Sequence, residues 1–163
     1  MSNSRIRTAE DCDLEEILNL ANAKRLEYEI YQPVFWRVAS DAIAQQRDYF
    51  ASQIADEKVI TLVATSERKV VGFVIGRLVP APPVYNPGGL TCSIDDFVVS
   101  EGECWETVGA DLLDQVRRVA LSSGAAQVVV VCAHHDEPKR KALEEYSLTI
   151  ASEWWVTPLK SNP

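Results

Sequence analysis

Two adjacent carboxylates, Asp95 and Asp96, interrupt an otherwise apolar run from Ile94 to Val99. Burying a carboxylate is costly unless it is paired or put to use. Strand side chains alternate, so the two acids face opposite sides. A shielded carboxylate has a raised pKa, which suits removal of a proton from an ammonium near neutral pH. The alternative is a solvated strand start at which both acids are simply hydrated. His134 and His135 follow a valine-rich run, where a histidine supplies an acid or a base, or merely occupies a solvated turn. Cys104 lies near a predicted helix start, where a thiolate is stabilised. No base and orienting acid accompany it, and the surrounding glutamates oppose its ionisation.

The elements that must position these groups form one unit, Ser93 to Ala133. Ile94–Val99 is rich in β-branched residues and reads as a buried strand. A polar turn, Ser100 to Glu103, follows. Val108, Leu112, Leu113, Val116, Val119 and Ala120 then recur at helical spacing. Gly124 stands where a left-handed helix stop is needed. Gln127 to Cys132 contains four consecutive valines, which predicts a strand buried on both faces. The unit is thus strand, turn, helix, strand, with the strands parallel. In such units the turn facing the helix N-terminus is the expected ligand site.

Around this unit the chain reads in order. Arg5–Arg7 is a short strand, and Thr8 with Asp11 resembles a capping box for a helix through Leu14, Ile17, Leu18 and Ala21. Tyr28, Tyr31, Phe35 and Trp36 make an aromatic segment broken by Pro33. Tyr31, Phe35 and Trp36 are candidates to line a substrate cleft, and equally suit a core rim or a dimer contact. Ser40 is the expected cap of a second helix, with Ile43, Phe50 and Ile54 on one side. Val59–Thr65 and Val70–Val79 form a hairpin with a four-residue connection, Ser66 to Lys69. Gly72 and Gly76 inside it suggest bulges or a close backbone approach. Pro80 to Gly89 is a long loop, of the kind that is often functional. Pro138 opens a helix over Lys139–Tyr146, and Leu148–Leu159 reads as one or two strands.

Composition bounds the classes. The 163 residues suffice for one domain, 1–163, with a substantial core, and 47% of them are hydrophobic. Sixteen basic and 24 acidic residues give a net charge of −8, which argues against nucleic acid and permits a cationic partner. The four cysteines form no CxxC pair, so a zinc site or disulfide framework is not expected, and no metal is implied. No apolar run reaches the roughly 20 residues of a membrane span. The first residues, MSNSRIRTAED, carry no apolar signal-peptide core. The expected location is the cytoplasm, away from membranes.

The order β, α, α, β, β, loop, β, α, β, α, β resembles the GNAT superfamily of acyl-CoA-dependent N-acyltransferases across nearly the whole chain. The local match is to the family signature V-x-P-x-x-R-G-x-G-x-G followed by a leucine pair. Val99 holds the valine, Gly109 the last glycine, and Leu112–Leu113 the leucines. The resemblance implies an α/β fold: a mixed, mostly antiparallel sheet with a central parallel β-α-β unit and helices on both faces. It implies acetyl-CoA as cosubstrate. Val98 and Val99 would offer main-chain bonds to its pantetheine arm. Thr107, Val108, Gly109 and Ala110 would hold its pyrophosphate by backbone amides and the helix dipole. The motif is degenerate: Glu101, Cys104, Trp105 and Thr107 replace the proline, the arginine and two glycines. Glu101, Glu103 and Glu106 crowd the diphosphate position, where they would oppose a bound polyanion; the alternative reading is a helix that caps itself with its own carboxylates.

For catalysis, the resemblance makes Asp95 or Asp96 the general base. The family's tyrosine acid falls on Leu143, which cannot donate a proton. Tyr146, one helical turn further on, is the substitute candidate or a packing residue. The family usually ends in two strands, whereas TIASEWWVTPL must supply both or leave the last to a partner subunit. An exposed edge with Trp154 and Trp155 favours a homodimer. The resulting expectation is an N-acetyltransferase acting on a primary amine, small molecule or peptide, with the net charge tilting towards a cationic one. The alternative is a non-catalytic GNAT fold that binds acyl-CoA or serves as an interaction module.

Overall fold

The structure is a computed structural model, and it describes residues 4–159. Its strands are β1 (Arg5–Thr8), β2 (Val59–Ser66), β3 (Lys69–Val79), β4 (Leu90–Val99) and β5 (Ala125–Val130). Its helices are α1 (Leu14–Tyr31), α2 (Ala42–Ala55), α3 (Ala110–Ser122) and α4 (Glu137–Glu145). The five strands lie in sequence order in one sheet. All neighbours are antiparallel except β4 and β5, which are parallel and joined across α3. The expected mixed sheet with a central β-α-β unit is what the chain forms.

Alternation along the strands builds two cores. Val63, Phe73, Ile75 and Val98 face α1 and α2, packing on Ile17, Leu18, Ala21 and Phe50. Leu62, Val74, Cys92, Ile94 and Phe97 face the other way, onto Val108, Leu112, Leu113 and Val116. α3 buries the stripe its spacing predicts. Gly124 ends it at φ +90°, a conformation that costs a side-chain-bearing residue extra energy.

Several local readings change. The hairpin turn has two central residues, Glu67 and Arg68, both at positive φ (49° and 69°), rather than a four-residue connection. That primed geometry matches the twist of the flanking strands. The box at the start of α1 uses Glu10 and Asp13, not Thr8 and Asp11. Asp13 accepts the Glu10 amide at 2.8 Å and both Arg7 guanidinium nitrogens at 2.7 Å. α2 starts after Asp41 rather than Ser40, which leaves Ile43 exposed and turns Gln46 and Phe50 inward. β3 does bulge, between Ile75 and Gly76.

The last third departs furthest. β5 ends at Val130 and is largely exposed rather than buried on both faces, because no strand lies beyond it among the described residues. α4 begins at Glu137, two residues before the expected start. Residues 149–159 form neither of the expected strands. The Leu148 amide closes back on the Leu143 carbonyl at 3.0 Å instead.

Both the core and the α1 box can be tested by unfolding. Phe73 is fully buried against Phe50, ring centroids 5.8 Å apart, so Phe73→Ala should cost about 3–5 kcal/mol in urea unfolding. The Arg7 guanidinium holds the Asp13 carboxyl below its ordinary pKa. The stability from this pair is therefore present above the ordinary carboxyl range, about pH 4, and lost as pH falls through the lower folded-state value. Asp13→Asn should be destabilising at neutral pH, with the difference from the parent chain shrinking on acidification.

Candidate active-site cleft

The site begins where two parallel strands part. β4 and β5 pair from Leu90 to Ile94, and the Val131 amide donates to the Ile94 carbonyl at 2.9 Å. Beyond Ile94 the register ends, while β4 continues to Val99 beside β3 alone. The bulge makes Asp96 the partner of Ile75 and Ile94 the partner of Gly76, so Asp95 is the extra residue. The extra residue breaks the strict alternation expected to put the two acids on opposite faces, and both meet arginines instead. Asp95 lies exposed in an ion pair with Arg77. Asp96 turns inward with 14% of its side chain exposed, 3.4 Å from Arg25 of α1. Burial pushes the Asp96 pKa up, and the Arg25 charge offsets only part of that.

Next along β4, the Phe97 carbonyl accepts the Lys139 ammonium at 3.0 Å. Lys139 is 2% exposed, with its Nζ over the faces of Phe97 and Trp105 at 5.4 and 5.8 Å. Burial lowers its pKa. Asp136, fully buried at the start of α4, accepts the Tyr28 hydroxyl at 3.1 Å, the Lys24 ammonium at 3.3 Å and the Lys139 amide at 3.4 Å. Burial and Asp136 together raise the Tyr28 pKa. An aromatic wall continues outward from Tyr28. Trp36 lies 5.1 Å from it, Phe35 a further 4.6 Å on, and Trp154 5.7 Å beyond that. Tyr31 hydrogen-bonds Glu27 and stands 6.3 Å from the His135 ring; burial, then Glu27, raises its pKa. His134 and His135 are both exposed.

The turn after Val99 is largely occupied by its own side chains. The Glu106 carboxylate accepts the Cys104 thiol at 2.8 Å, its own backbone amide, and the Lys141 ammonium at 3.1 Å. These contacts, the thiol first, pull its pKa down to about 2. The amides of Thr107 and Val108 return to the Cys104 carbonyl, at 3.2 and 2.9 Å. Trp105 packs against Phe97 at 4.9 Å and lies on Gly109, where a Cβ would come within 2.6 Å of its ring. Gly109 is thus required by a tryptophan, whatever else it holds. The seam between α3 and α4, lined by Gly109, Leu113, Ala142, Leu143 and Tyr146, encloses no water-sized space.

Of the expected site residues, Asp96, Val98 and Val99 run along the parted strand, with Tyr31, Phe35 and Trp36 at its side. Thr107, Val108, Gly109 and Ala110 form the wide helical turn opening into α3. Asp95 and Tyr146 stand apart: one pairs with Arg77, the other lines a groove between α3 and β5. Sequence reasoning missed Lys24, Arg25 and Lys139, and gave Asp136 no role beyond preceding Pro138. A usable signal for Lys139 was its place four residues before Leu143, on the same face of α4.

In sequence, no protein-family model and no curated protein matches the chain. In structure, it superposes on a predicted acetyltransferase with acetyl-CoA from Clostridium acetobutylicum, TM-score 0.75, over 96% of each chain at 15% identity. This is the fold of the GNAT acetyltransferases. An aminoglycoside 6'-N-acetyltransferase from Acinetobacter haemolyticus matches at TM-score 0.70 and 13% identity, over 97% of this chain and 99% of that one. A point mutant of a Bacillus halodurans protein matches at TM-score 0.83 and 18% identity, over 96% and 99%. Among the described residues, no helix is long and apolar enough to cross a membrane. No group of three or more His, Cys, Asp or Glu is arranged there to hold a metal ion.

The raised Asp96 pKa has a definite sign. Its folded-state value lies above the unfolded one, so its contribution to stability is full in acid and lost as pH rises through the folded value. Asp96→Asn removes that loss. In urea unfolding, the variant should gain stability relative to the parent chain between about pH 4 and pH 7.

Proposed function

We propose that this chain is an N-acetyltransferase that uses the GNAT cleft to pass an acetyl group from acetyl-CoA to a primary amine. The observation that carries the reading is the parting of β4 from β5 beside Asp96. It sets strand carbonyls free of a neighbouring strand next to a shielded carboxylate, and the acyl-transfer chemistry of an amine needs both. Acetyl-CoA supplies the acetyl group as a thioester. Asp96 takes the proton from the incoming ammonium, helped by its raised pKa. Val98 and Val99 offer main-chain groups along the cleft, and Tyr31, Phe35 and Trp36 form the wall against which the acceptor rests. The net charge of −8 supports a cationic acceptor. The neighbour that acts on aminoglycosides is consistent with such a class.

A second reading has its own support. Lys139 sits on the Phe97 carbonyl, and Glu106 fills the helix N-terminus where a diphosphate would bind. Both features suit a GNAT fold that has given up catalysis and keeps, at most, weak coenzyme binding.

Thiol release from acetyl-CoA separates the two. With a panel of an alkylamine, a polyamine, an aminoglycoside and a lysine peptide, the enzyme reading expects amine-dependent release with at least one member. The rate should rise with pH through a value above the ordinary carboxyl range, and Asp96→Asn should lower it about 10²–10⁴-fold. Coenzyme binding without release for any amine would favour the non-catalytic reading.

A further inference from the structure

Lys139 carries a primary amine into the cleft, and the acetyl transfer proposed above gives it no task. The residue is 2% exposed. Its Nζ donates to the Phe97 carbonyl at 3.0 Å, and among the described residues no carboxylate lies within ion-pairing distance of it. The rings of Phe97 and Trp105 flank it at 5.4 and 5.8 Å. An ammonium held by one carbonyl and two aromatic faces is costly to bury, and a neutral amine far less so. Burial accordingly lowers the Lys139 pKa; Cys132, Asp136 and Asp96 oppose that shift, and Lys24 adds to it. A lysine amine freed of its charge in this way is a nucleophile.

The amine also stands among the groups that the acetyltransferase reading assigns to the thioester. β4 runs on without β5 after Ile94. Asp96 and Val98, on either side of Phe97 in β4, are the proposed base and part of the coenzyme edge. A donor seated there meets Lys139, whereas a reagent in bulk solution has no route to a side chain this buried. The other described lysines differ. Lys58, Lys69 and Lys141 are exposed, and Lys24 is paired with Glu27 and Asp136.

We infer that Lys139 is acetylated by acetyl-CoA bound in its own cleft. The inference rests on the acetyltransferase reading, because without a bound thioester there is no donor. The ammonium first loses a proton to water. The Nζ lone pair then attacks the thioester carbonyl carbon, forming a carbon–nitrogen bond as the carbon–sulfur bond breaks. Coenzyme A leaves as a thiolate and takes up the second proton that the nitrogen sheds. The products are acetyl-lysine and free coenzyme A. The new amide keeps one N–H for the Phe97 carbonyl and carries no charge. Lys139 thus retains its hydrogen bond and loses the cost of a buried cation.

Peptide mass spectrometry on the full chain tests this, with acetyl-CoA as donor in one arm and acetyl phosphate, which lacks the coenzyme, in the other. Calorimetric titration of acetyl-CoA is run on the same preparation. Acetyl-CoA should label Lys139 about tenfold or more faster than Lys58 or Lys69. The rate constant should saturate with coenzyme and stay the same at every protein concentration. Acetyl phosphate should label the exposed lysines and spare Lys139. An unmodified Lys139 in a chain that binds acetyl-CoA would overturn self-acetylation and leave the acetyltransferase reading standing. Absence of both binding and labelling would overturn the two together. Labelling of Lys139 by acetyl phosphate as fast as the exposed lysines, or a rate constant that rises with protein concentration, would also overturn it. In either case the donor would not be the coenzyme in the chain's own cleft.

Discussion

A strand carbonyl that loses its neighbour must find another donor, and in this protein that need is met by a buried ammonium. β4 outruns β5, which leaves Phe97 without a partner on that side, and Lys139 supplies the hydrogen bond. An unpaired buried carbonyl is rare in folded proteins, and a buried cation without an acceptor rarer still. Each therefore stabilises the other. Asp136 completes the arrangement by binding the Lys139 amide, the Tyr28 hydroxyl and the Lys24 ammonium. Three elements distant in sequence, α1, β4 and α4, are joined through these few polar contacts at the floor of the cleft.

The same economy shapes the turn leading into α3. A helix N-terminus attracts negative charge, and Glu106 provides it from within the chain. Trp105 uses the space that Gly109 leaves open. A ligand entering here must displace a glutamate that is itself held by Lys141 and Cys104. Part of the cleft's polar complement is thus supplied from within the chain. That is why one geometry supports a catalytic reading at Asp96 and a non-catalytic one at Glu106.

Much of the fold was legible because hydrophobic period reports burial directly. The α3 stripe, the stop at Gly124 and the parallel strand pair all follow from residue spacing. Asp95 and Asp96 were recognisable because two acids in an apolar strand demand an explanation, but the bulge that breaks their alternation was not. Residue patterns mislead where partners decide the outcome. Four valines look doubly buried, but a strand at the end of a sheet has nothing on its far side. TIASEWWVT has the composition of a strand, yet a strand needs a neighbour, and these residues pair with none among the described ones. Lys139 was passed over for a related reason. A lone lysine on a short helix reads as solvated until the carbonyl it must satisfy is known.

The central claim is that the parting of β4 and β5 still makes an acyl-CoA site, despite the groups that fill it. Calorimetric titration of acetyl-CoA into the full chain tests this most directly. The account predicts saturable binding with a dissociation constant in the micromolar range. No heat of binding at millimolar coenzyme would contradict it, and would leave Lys139 and Glu106 as the permanent occupants of the cleft.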